Sequence, residues 1–220
     1  IRAGADLIKV YADNSRGPTF SVEELRLLVE TAKSQGRPVA AHATTKGGML
    51  RAASAGVDTI EHGQGGDAVV FELMAERGIA WCPTLAAHEA YARYAGWRRG
   101  IDPEPELLRQ ARAAFKLALE AKVAIINGSD LGVFAHGDGV RELELLVEFG
   151  MTNSQALLAA TSTAARALRL EDRLGTIQQG KLADLIAVEG DPSRAIPSLR
   201  QVRLVVKGGV VAYQAGSSPR

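Results

Sequence analysis

The chain has 220 residues, 46% hydrophobic and 23% charged, which is typical of one large globular domain, alone or with a small appendage. Its net charge of +1 argues against a nucleic-acid partner, and its longest apolar runs are too short to span a membrane. The single cysteine, Cys82, cannot form an internal disulfide bond, which favours a reducing compartment such as the cytoplasm. An export signal upstream of residue 1 is compatible with the same sequence.

Short apolar runs alternate with helical patterns as far as Asp130. The predicted strands cover residues 5–12, 38–44, 57–62, 79–82 and 123–129. After the first strand, a helix is predicted to begin at Ser21, which can form a capping box with Glu24, and to end at Gly36. Strand–helix–strand units of this length indicate a parallel sheet with right-handed crossovers.

A longer segment, residues 84–102, interrupts this alternation. Its aromatic side chains include Tyr91, Tyr94 and Trp97. We interpret them as an ordinary packed lid, with substrate contact as the alternative. The same segment contains the arginines Arg93, Arg98 and Arg99. An arginine here could hold a substrate carboxylate. We expect His88, also in this segment, to lie on the surface.

The pattern changes after Asp130. Three helical segments follow one another up to about residue 170, and short strands separated by glycine turns follow them, with a hairpin signal at Gly208-Gly209. We therefore divide the chain into a first domain, residues 1–170, and part of a small β domain, residues 171–220.

Four predicted strands carry a polar side chain that could bind a metal. These residues are Lys9, His42, His62 and Asp130. In a barrel of parallel strands, residues at the carboxyl ends face one common mouth, and imidazole and carboxylate groups suit zinc and related ions. A lysine becomes a ligand when it is neutral, or when carbon dioxide converts it to a carbamate that can bridge two cations. Each residue alone also fits a structural role, as a hydrogen-bonded histidine, an edge lysine or a helix cap.

Three longer motifs accompany this series of residues. They read "GMTNSQALLAATSTAARAL", "LGTIQQGKLADLIAVEGDP" and "VRLVVKGGVV". Together with the order Lys, His, His, Asp on successive strands, they resemble the amidohydrolase superfamily, in its imidazolonepropionase- and prolidase-like branch. The resemblance implies an α/β fold: a (β/α)8 TIM-type barrel, of which this chain contains strands 4 to 8, followed by part of a small β-sandwich.

The resemblance also implies roles for individual residues. Lys9 would be the carbamylated ligand that bridges two metal ions, zinc by default. His42 and His62 would bind the more exposed metal. Asp130 would bind the more buried one and act as general base and acid on a metal-activated water. His136 matches a position near the substrate, with an ordinary loop histidine as the alternative. Tyr11 shares the Lys9 face of its strand and is expected to line the pocket.

The sequence departs from the family pattern in one important respect. The family takes two further metal ligands from an H-x-H on its first barrel strand, and this sequence contains no H-x-H. We therefore expect a carboxy-terminal fragment that lacks three barrel strands, and that lacks the buried metal site on its own. Because an incomplete barrel exposes a parallel edge, we also expect poor solubility or a homo-oligomer.

The expected function is metal-dependent hydrolysis of a carbon–nitrogen bond in a small molecule, such as an N-acyl amino acid, a dipeptide or a cyclic amide. The alternative is a non-catalytic chain, or a subunit that requires a complementing amino-terminal segment. A serine esterase finds no support, since the sequence has no G-x-S-x-G motif.

Overall fold

The computed structural model of the chain describes residues 4–14 and 16–216. Its strands are β1 (Ile8–Tyr11), β2 (Asp13–Asn14), β3 (Gly17–Pro18), β4 (Val39–Ala43), β5 (Thr59–His62), β6 (Ala80–Cys82), β7 (Leu185–Val188), β8 (Val202–Lys207) and β9 (Val210–Gln214). Its α-helices are α1 (Val22–Lys33), α2 (Lys46–Ala55), α3 (Ala68–Arg77), α4 (Leu85–Tyr94), α5 (Glu106–Glu120), α6 (Val140–Glu148), α7 (Asn153–Ala159) and α8 (Ser162–Ala167). Two 3₁₀ turns cover His136–Asp138 and Ile196–Arg200.

The centre of the fold is a parallel sheet with the strand order β1-β4-β5-β6. The helices α1, α2 and α3 each connect one of these strands to the next. The register places Tyr11 beside His42 and Ala43 beside His62, so the carboxyl ends of three strands lie side by side. The predicted α/β class with a parallel sheet is therefore confirmed. The partial TIM-type barrel and the partial β-sandwich stay predictions.

The predicted fifth strand, 123–129, is wrong in its extent. Within the described residues, only one parallel bridge joins this segment to the sheet, between Trp81 and Ile125. The N–H of Asn127 then donates to the carbonyl of Ala159, at the end of α7. Because that hydrogen bond points to a helix and not to a strand, the segment leaves the sheet after a short contact.

The core lies between the sheet and its helices and contains a row of aromatic rings. The rings of Phe71, Trp81, Phe115 and Phe149 follow one another with centroid separations of 5.0, 5.8 and 5.8 Å. Such tilted and edge-to-face contacts add to the free energy of burying the rings. The Trp81 indole also donates a hydrogen bond of 2.9 Å to the carbonyl of His62, so the core supports the end of β5 directly.

The carboxy-terminal region forms a second sheet, antiparallel and in the order β7-β8-β9. The outer strand β9 is exposed along its whole length. The turn Ile196–Arg200 packs between this region and α6. A domain boundary at residue 170 stays a prediction. No helix in the described part of the chain has the length and apolar character that crossing a membrane requires.

The ends of β1 and β4 are joined by the buried carboxylate of Asp13, which is 1% exposed. It accepts hydrogen bonds from the main-chain N–H groups of Thr44, at 3.0 Å, and Thr45, at 2.9 Å. Both threonine hydroxyls donate to it as well, at 3.2 and 2.6 Å. Thr45 in turn caps α2, because its hydroxyl accepts from the N–H of Gly48 at 3.0 Å. A side chain at Gly48 would occupy the space of this carboxylate, since a Cβ there would lie 1.9 Å from Asp13 Oδ2.

The substitution Asp13→Asn tests this arrangement. An amide offers one acceptor oxygen in place of two, so we expect the free energy of unfolding at pH 7 to fall by about 2–3 kcal/mol. The measurement is urea denaturation. Asp6→Asn is the control, because the Asp6 side chain is 95% exposed and its removal is expected to change little. Equal stability of Asp13→Asn and the unsubstituted protein at pH 7 would contradict the prediction.

The pH dependence gives a second readout on the same pair of proteins. Burial alone would raise the pKa of Asp13, but the hydrogen bonds from Thr45 and Thr44 outweigh it, and the pKa lies below the ordinary 3.8. A lowered pKa contributes stability above the unfolded-state value, and that contribution is lost as the pH falls through the folded-state value. We therefore expect the stability difference between the unsubstituted protein and the Asp13→Asn variant to shrink below pH 3.8.

Candidate functional site

The carboxyl ends of the parallel strands border a cavity of about 540 Å³. Five of the residues that the sequence predicts as site residues line it: Lys9, Tyr11, His42, His62 and Asp130. The sixth, His136, is not part of this lining. It is exposed, in the 3₁₀ turn that follows Asp130. The metal, catalytic and substrate roles of these residues stay predictions.

Strand alternation in β1 places Lys9 and Tyr11 toward the cavity. Val10, which points to the opposite face, is 7% exposed and belongs to the core, while Tyr11 is 54% exposed. The Tyr11 ring stacks on the imidazole of His42, with ring centroids 4.5 Å apart. Lys9 therefore lies on the same face of the sheet as a histidine from the neighbouring strand.

The imidazoles of His42 and His62 meet edge to face, with their centroids 4.6 Å apart. Burial lowers the pKa of His42, and the nearby Asp13, whose Oδ1 lies 3.9 Å from His42 Nε2, opposes this effect. Burial lowers the pKa of His62 to about 3, and His42 and Lys9 contribute in the same direction. Both rings are therefore neutral at neutral pH, which is the form that binds metals.

The orientation of His62 is determined by contacts on both sides. Its backbone has a φ of 70°, in the left-handed region that non-glycine residues rarely adopt. The Trp81 indole holds its carbonyl, and its Nδ1 lies 2.8 Å from the hydroxyl of Thr84. When Nδ1 carries the proton and donates it to Thr84, Nε2 is the free nitrogen. A hydrogen-bond partner on the second ring nitrogen fixes the orientation of a metal-binding histidine.

Asp130 reaches the cavity from the segment that follows the short bridge at Ile125. It is exposed and has a φ of 55°, again in the left-handed region. The preceding turn packs closely, because a Cβ at Gly128 would lie 2.4 Å from the Cys82 sulfur. The carboxylate is therefore presented at the end of a tight turn beside β6.

The cavity lining also contains two residues, His88 and Glu61, that the sequence analysis does not place there. The expectation that His88 lies on the surface is wrong: it is 5% exposed and borders the cavity. Burial lowers its pKa to about 4. The available signal is the run of apolar residues before it in α4, Leu85, Ala86 and Ala87, which are buried as well. Glu61 also lines the cavity and accepts a hydrogen bond from the Thr59 hydroxyl at 2.5 Å. Strand alternation in β5 could have identified it, because Ile60 faces the core and its neighbour Glu61 must then face the other side of the sheet.

The segment 84–102 contributes α4 and a following turn. Tyr91 lines the cavity, whereas the Tyr94 hydroxyl donates to the carbonyl of Val133 and the Trp97 indole to that of Asp102. The three arginines proposed to hold a substrate carboxylate are paired with protein carboxylates instead. Arg93 pairs with Glu89, Arg98 with Asp102, and Arg99 with both Glu89 and Glu148. None of the three lines the cavity.

The donor set fits a divalent metal in its chemistry. Two neutral imidazoles from neighbouring strands lie within 4.6 Å of each other, one with its Nδ1 already engaged, and a lysine and a carboxylate line the same cavity. Within residues 4–14 and 16–216, no group of three or more His, Cys, Asp or Glu side chains is close enough to enclose an ion. These residues therefore offer part of a ligand shell.

Comparison with known proteins gives consistent relatives. Residues 1–212 match the amidohydrolase family. The chain is 35% identical to the ochratoxinase of Aspergillus niger, over all of this chain and 48% of that enzyme. It is 27% identical to the imidazolonepropionase of Desulfotalea psychrophila, over 90% of this chain and 42% of that enzyme. The chain spans about half the length of the curated relatives it matches.

Solved structures agree. A Xaa-Pro dipeptidase with bound methionine in its active site superposes with a TM-score of 0.87 and 38% identity, over 97% of this chain and 56% of that one. The predicted resemblance to the imidazolonepropionase- and prolidase-like branch is thus confirmed. Because the family match extends over nearly the whole sequence, this chain belongs to the amidohydrolase family.

Proposed function

We propose that the protein containing this chain is a metal-dependent hydrolase that cleaves a carbon–nitrogen bond in a small molecule. The observation that carries the proposal is the meeting of Lys9, His42, His62 and Asp130 at one cavity, although they come from four separate segments of the chain. Core packing does not require such a meeting. Members of the amidohydrolase family generally bind divalent metals, which supports the same assignment.

In this proposal Lys9, as its carbamate, and His42, His62 and Asp130 would hold two zinc ions. A bound divalent metal supplies a Lewis acid and lowers the pKa of water. The neutral state of both histidines supports their role, because neither has to lose a proton before binding. The exposure of Lys9 leaves its amine accessible to carbon dioxide.

Asp130 is the proposed general acid and base. Its carboxylate takes a proton from the attacking water and delivers it to the leaving nitrogen. Two features support this role: its position in the cavity lining together with Lys9 and the histidines, and its exposure, which leaves it accessible to substrate. The turn at Gly128 holds it in place, since the Cys82 sulfur fills the space beside that glycine.

The substrate class proposed is an N-acyl amino acid, a dipeptide or a cyclic amide. The relatives named ochratoxinase, Xaa-Pro dipeptidase and imidazolonepropionase support this range. In the chain itself, α4 supplies a further wall of the cavity, with His88 and Tyr91 on it. Since Arg93, Arg98 and Arg99 are engaged elsewhere, a substrate carboxylate would be bound by other groups.

The second candidate is a non-catalytic chain, or a subunit that is completed by another polypeptide segment. The observation in its favour is that the described residues contain no group of three or more His, Cys, Asp or Glu side chains able to enclose a metal. Metal analysis of the purified full-length protein separates the two candidates. Two zinc ions per chain support the hydrolase, and the absence of bound metal after supply of zinc supports the alternative.

The substitution Lys9→Ala tests the carbamate. We expect activity in a screen of dipeptides and N-acyl amino acids to be lost, because the bridging anion is removed. Short carboxylates such as formate or acetate should restore part of it by occupying the same place. Lys46→Ala is the control, since Lys46 pairs with Asp67 and does not line the cavity. Full activity of Lys9→Ala without added carboxylate would exclude the carbamate.

The substitution Asp130→Asn tests the general acid and base. We expect kcat to fall by about 10²–10⁴-fold, because the amide does not accept the proton of the attacking water. Metal content and kcat are measured together, so that loss of a ligand is recognised. Asp138→Asn is the matched control in the same loop, where Asp138 pairs with Arg200 outside the cavity lining. Unchanged kcat in Asp130→Asn would refute the assignment.

A further inference from the structure

Glu142 is a buried acid with no place in the proposed chemistry. It lies in α6 and is 0% exposed. Its Oε1 accepts a hydrogen bond from the N–H of Leu85 at 3.0 Å, and its Oε2 accepts one from the N–H of Ala86 at 2.6 Å. These are first-turn amides of α4, which have no partner within their own helix. Glu142 therefore caps α4 from a helix more than fifty residues further along the chain.

The residue before α4 shows why this cap is needed. Thr84 occupies the N-cap position, where threonine ordinarily has extended backbone and caps the helix with its own hydroxyl. Here its φ is 51° and its ψ 45°, and its side chain makes no capping hydrogen bond. A non-glycine residue in the left-handed region is strained, so surrounding contacts must hold it there. The two hydrogen bonds from Leu85 and Ala86 to Glu142 are adjacent to it in the chain.

The hydroxyl that Thr84 does not use for capping faces His62. Its Oγ1 lies 2.8 Å from His62 Nδ1. With the helix capped by Glu142, the Thr84 hydroxyl is free to hydrogen-bond His62 Nδ1. When it accepts the Nδ1 proton, Nε2 stays unprotonated. If Thr84 turned to the ordinary N-cap conformation, its hydroxyl would meet the amides of α4 instead. The Thr84 hydroxyl can therefore either cap α4 or hydrogen-bond His62, but not both.

We propose that Glu142 is a positioning residue for His62, acting through the first turn of α4 and the left-handed backbone of Thr84. This role of Glu142 matters for activity only under the proposed function, in which His62 binds metal. Burying a carboxyl group here costs stability. Burial raises the pKa of Glu142 to about 7, although the hydrogen bonds from the Ala86 and Leu85 amides act to lower it. An acceptor for two amides explains why an acid stands here.

The experiment is Glu142→Gln, with the imidazole nitrogens observed by ¹⁵N NMR in the metal-free full-length protein. Glutamine keeps the shape but places an NH₂ against one of the two helix amides. We expect His62 to change from one tautomer, with Nδ1 protonated, to averaged nitrogen shifts. Glu144→Gln is the matched control in the same helix, because Glu144 pairs with Arg141 and Arg200. It should leave the His62 signals unchanged.

Unchanged His62 signals in folded Glu142→Gln would overturn the proposal. A hydrogen-exchange measurement on the unsubstituted protein covers the case in which that variant does not fold. The amides of Leu85 and Ala86 should be protected, whereas first-turn amides without a cap exchange readily. Rapid exchange at both positions would equally overturn it.

Zinc titration links the inference to the site. We expect Glu142→Gln to bind zinc about tenfold more weakly, at the low end of the range for partners that orient metal-binding histidines. Glu144→Gln should bind within about twofold of the unsubstituted protein, because its partners lie outside the cavity lining. Because the NMR readout needs no metal, it decides on Glu142 even if the protein binds no zinc and the proposed function fails.

Discussion

The candidate site depends on the hydrogen bonds that the Asp13 carboxylate accepts from Thr44 and Thr45. Parallel strands end with main-chain N–H groups that have no partner within the sheet, and a buried N–H without an acceptor is costly. Asp13 follows β1 and supplies the acceptors for the turn after β4. Through the Thr45 cap it also fixes the start of α2. Lys9 and His42 can face one cavity because the ends of their strands are tied together in this way.

A second buried carboxylate performs the same task two strands further along. Glu142 accepts the first amides of α4, which follows β6, as Asp13 accepts those of the turn that follows β4. In each case one acid residue accepts hydrogen bonds from two consecutive main-chain N–H groups, next to a threonine hydroxyl that makes a further contact. The difference lies in what that hydroxyl does. Thr45 caps its own helix, whereas Thr84 approaches His62.

Sequence patterns are sufficient for the features that depend on neighbours in the chain. Strand alternation places Lys9 and Tyr11 on one face, and a serine three residues before a glutamate marks the capped start of α1. The supports of the site cannot be found in this way, because Asp13 and Thr44 are 31 residues apart and Glu142 and Ala86 are 56 apart. No local period relates such pairs.

The sequence indicates the burial of His88 only weakly, for a related physical reason. Its helix, α4, belongs to the segment 84–102, which departs from the strand–helix alternation. The alternation therefore does not indicate which face of α4 packs against the sheet. The fifth strand is predicted too long because "KVAIINGSD" is apolar enough for a strand, while the hydrogen bond that ends it comes from α7, more than thirty residues later. Apolar character predicts burial, and the partner of each main-chain N–H decides whether the buried segment is a strand.

Backbone strain in the described residues is concentrated at the cavity. Five non-glycine residues have a positive φ, and three of them, His62, Thr84 and Asp130, line it. His62 and Thr84 lie where the chain leaves the sheet, and Asp130 follows a tight turn beside β6. The Trp81 indole holds the His62 carbonyl, Glu142 caps the helix after Thr84, and Cys82 packs closely on the turn before Asp130. Strain of this kind persists only where the surroundings overdetermine it. The three residues are therefore held in place by the packed core and by a buried acid, and the cavity has the fixed positions that the proposed chemistry requires.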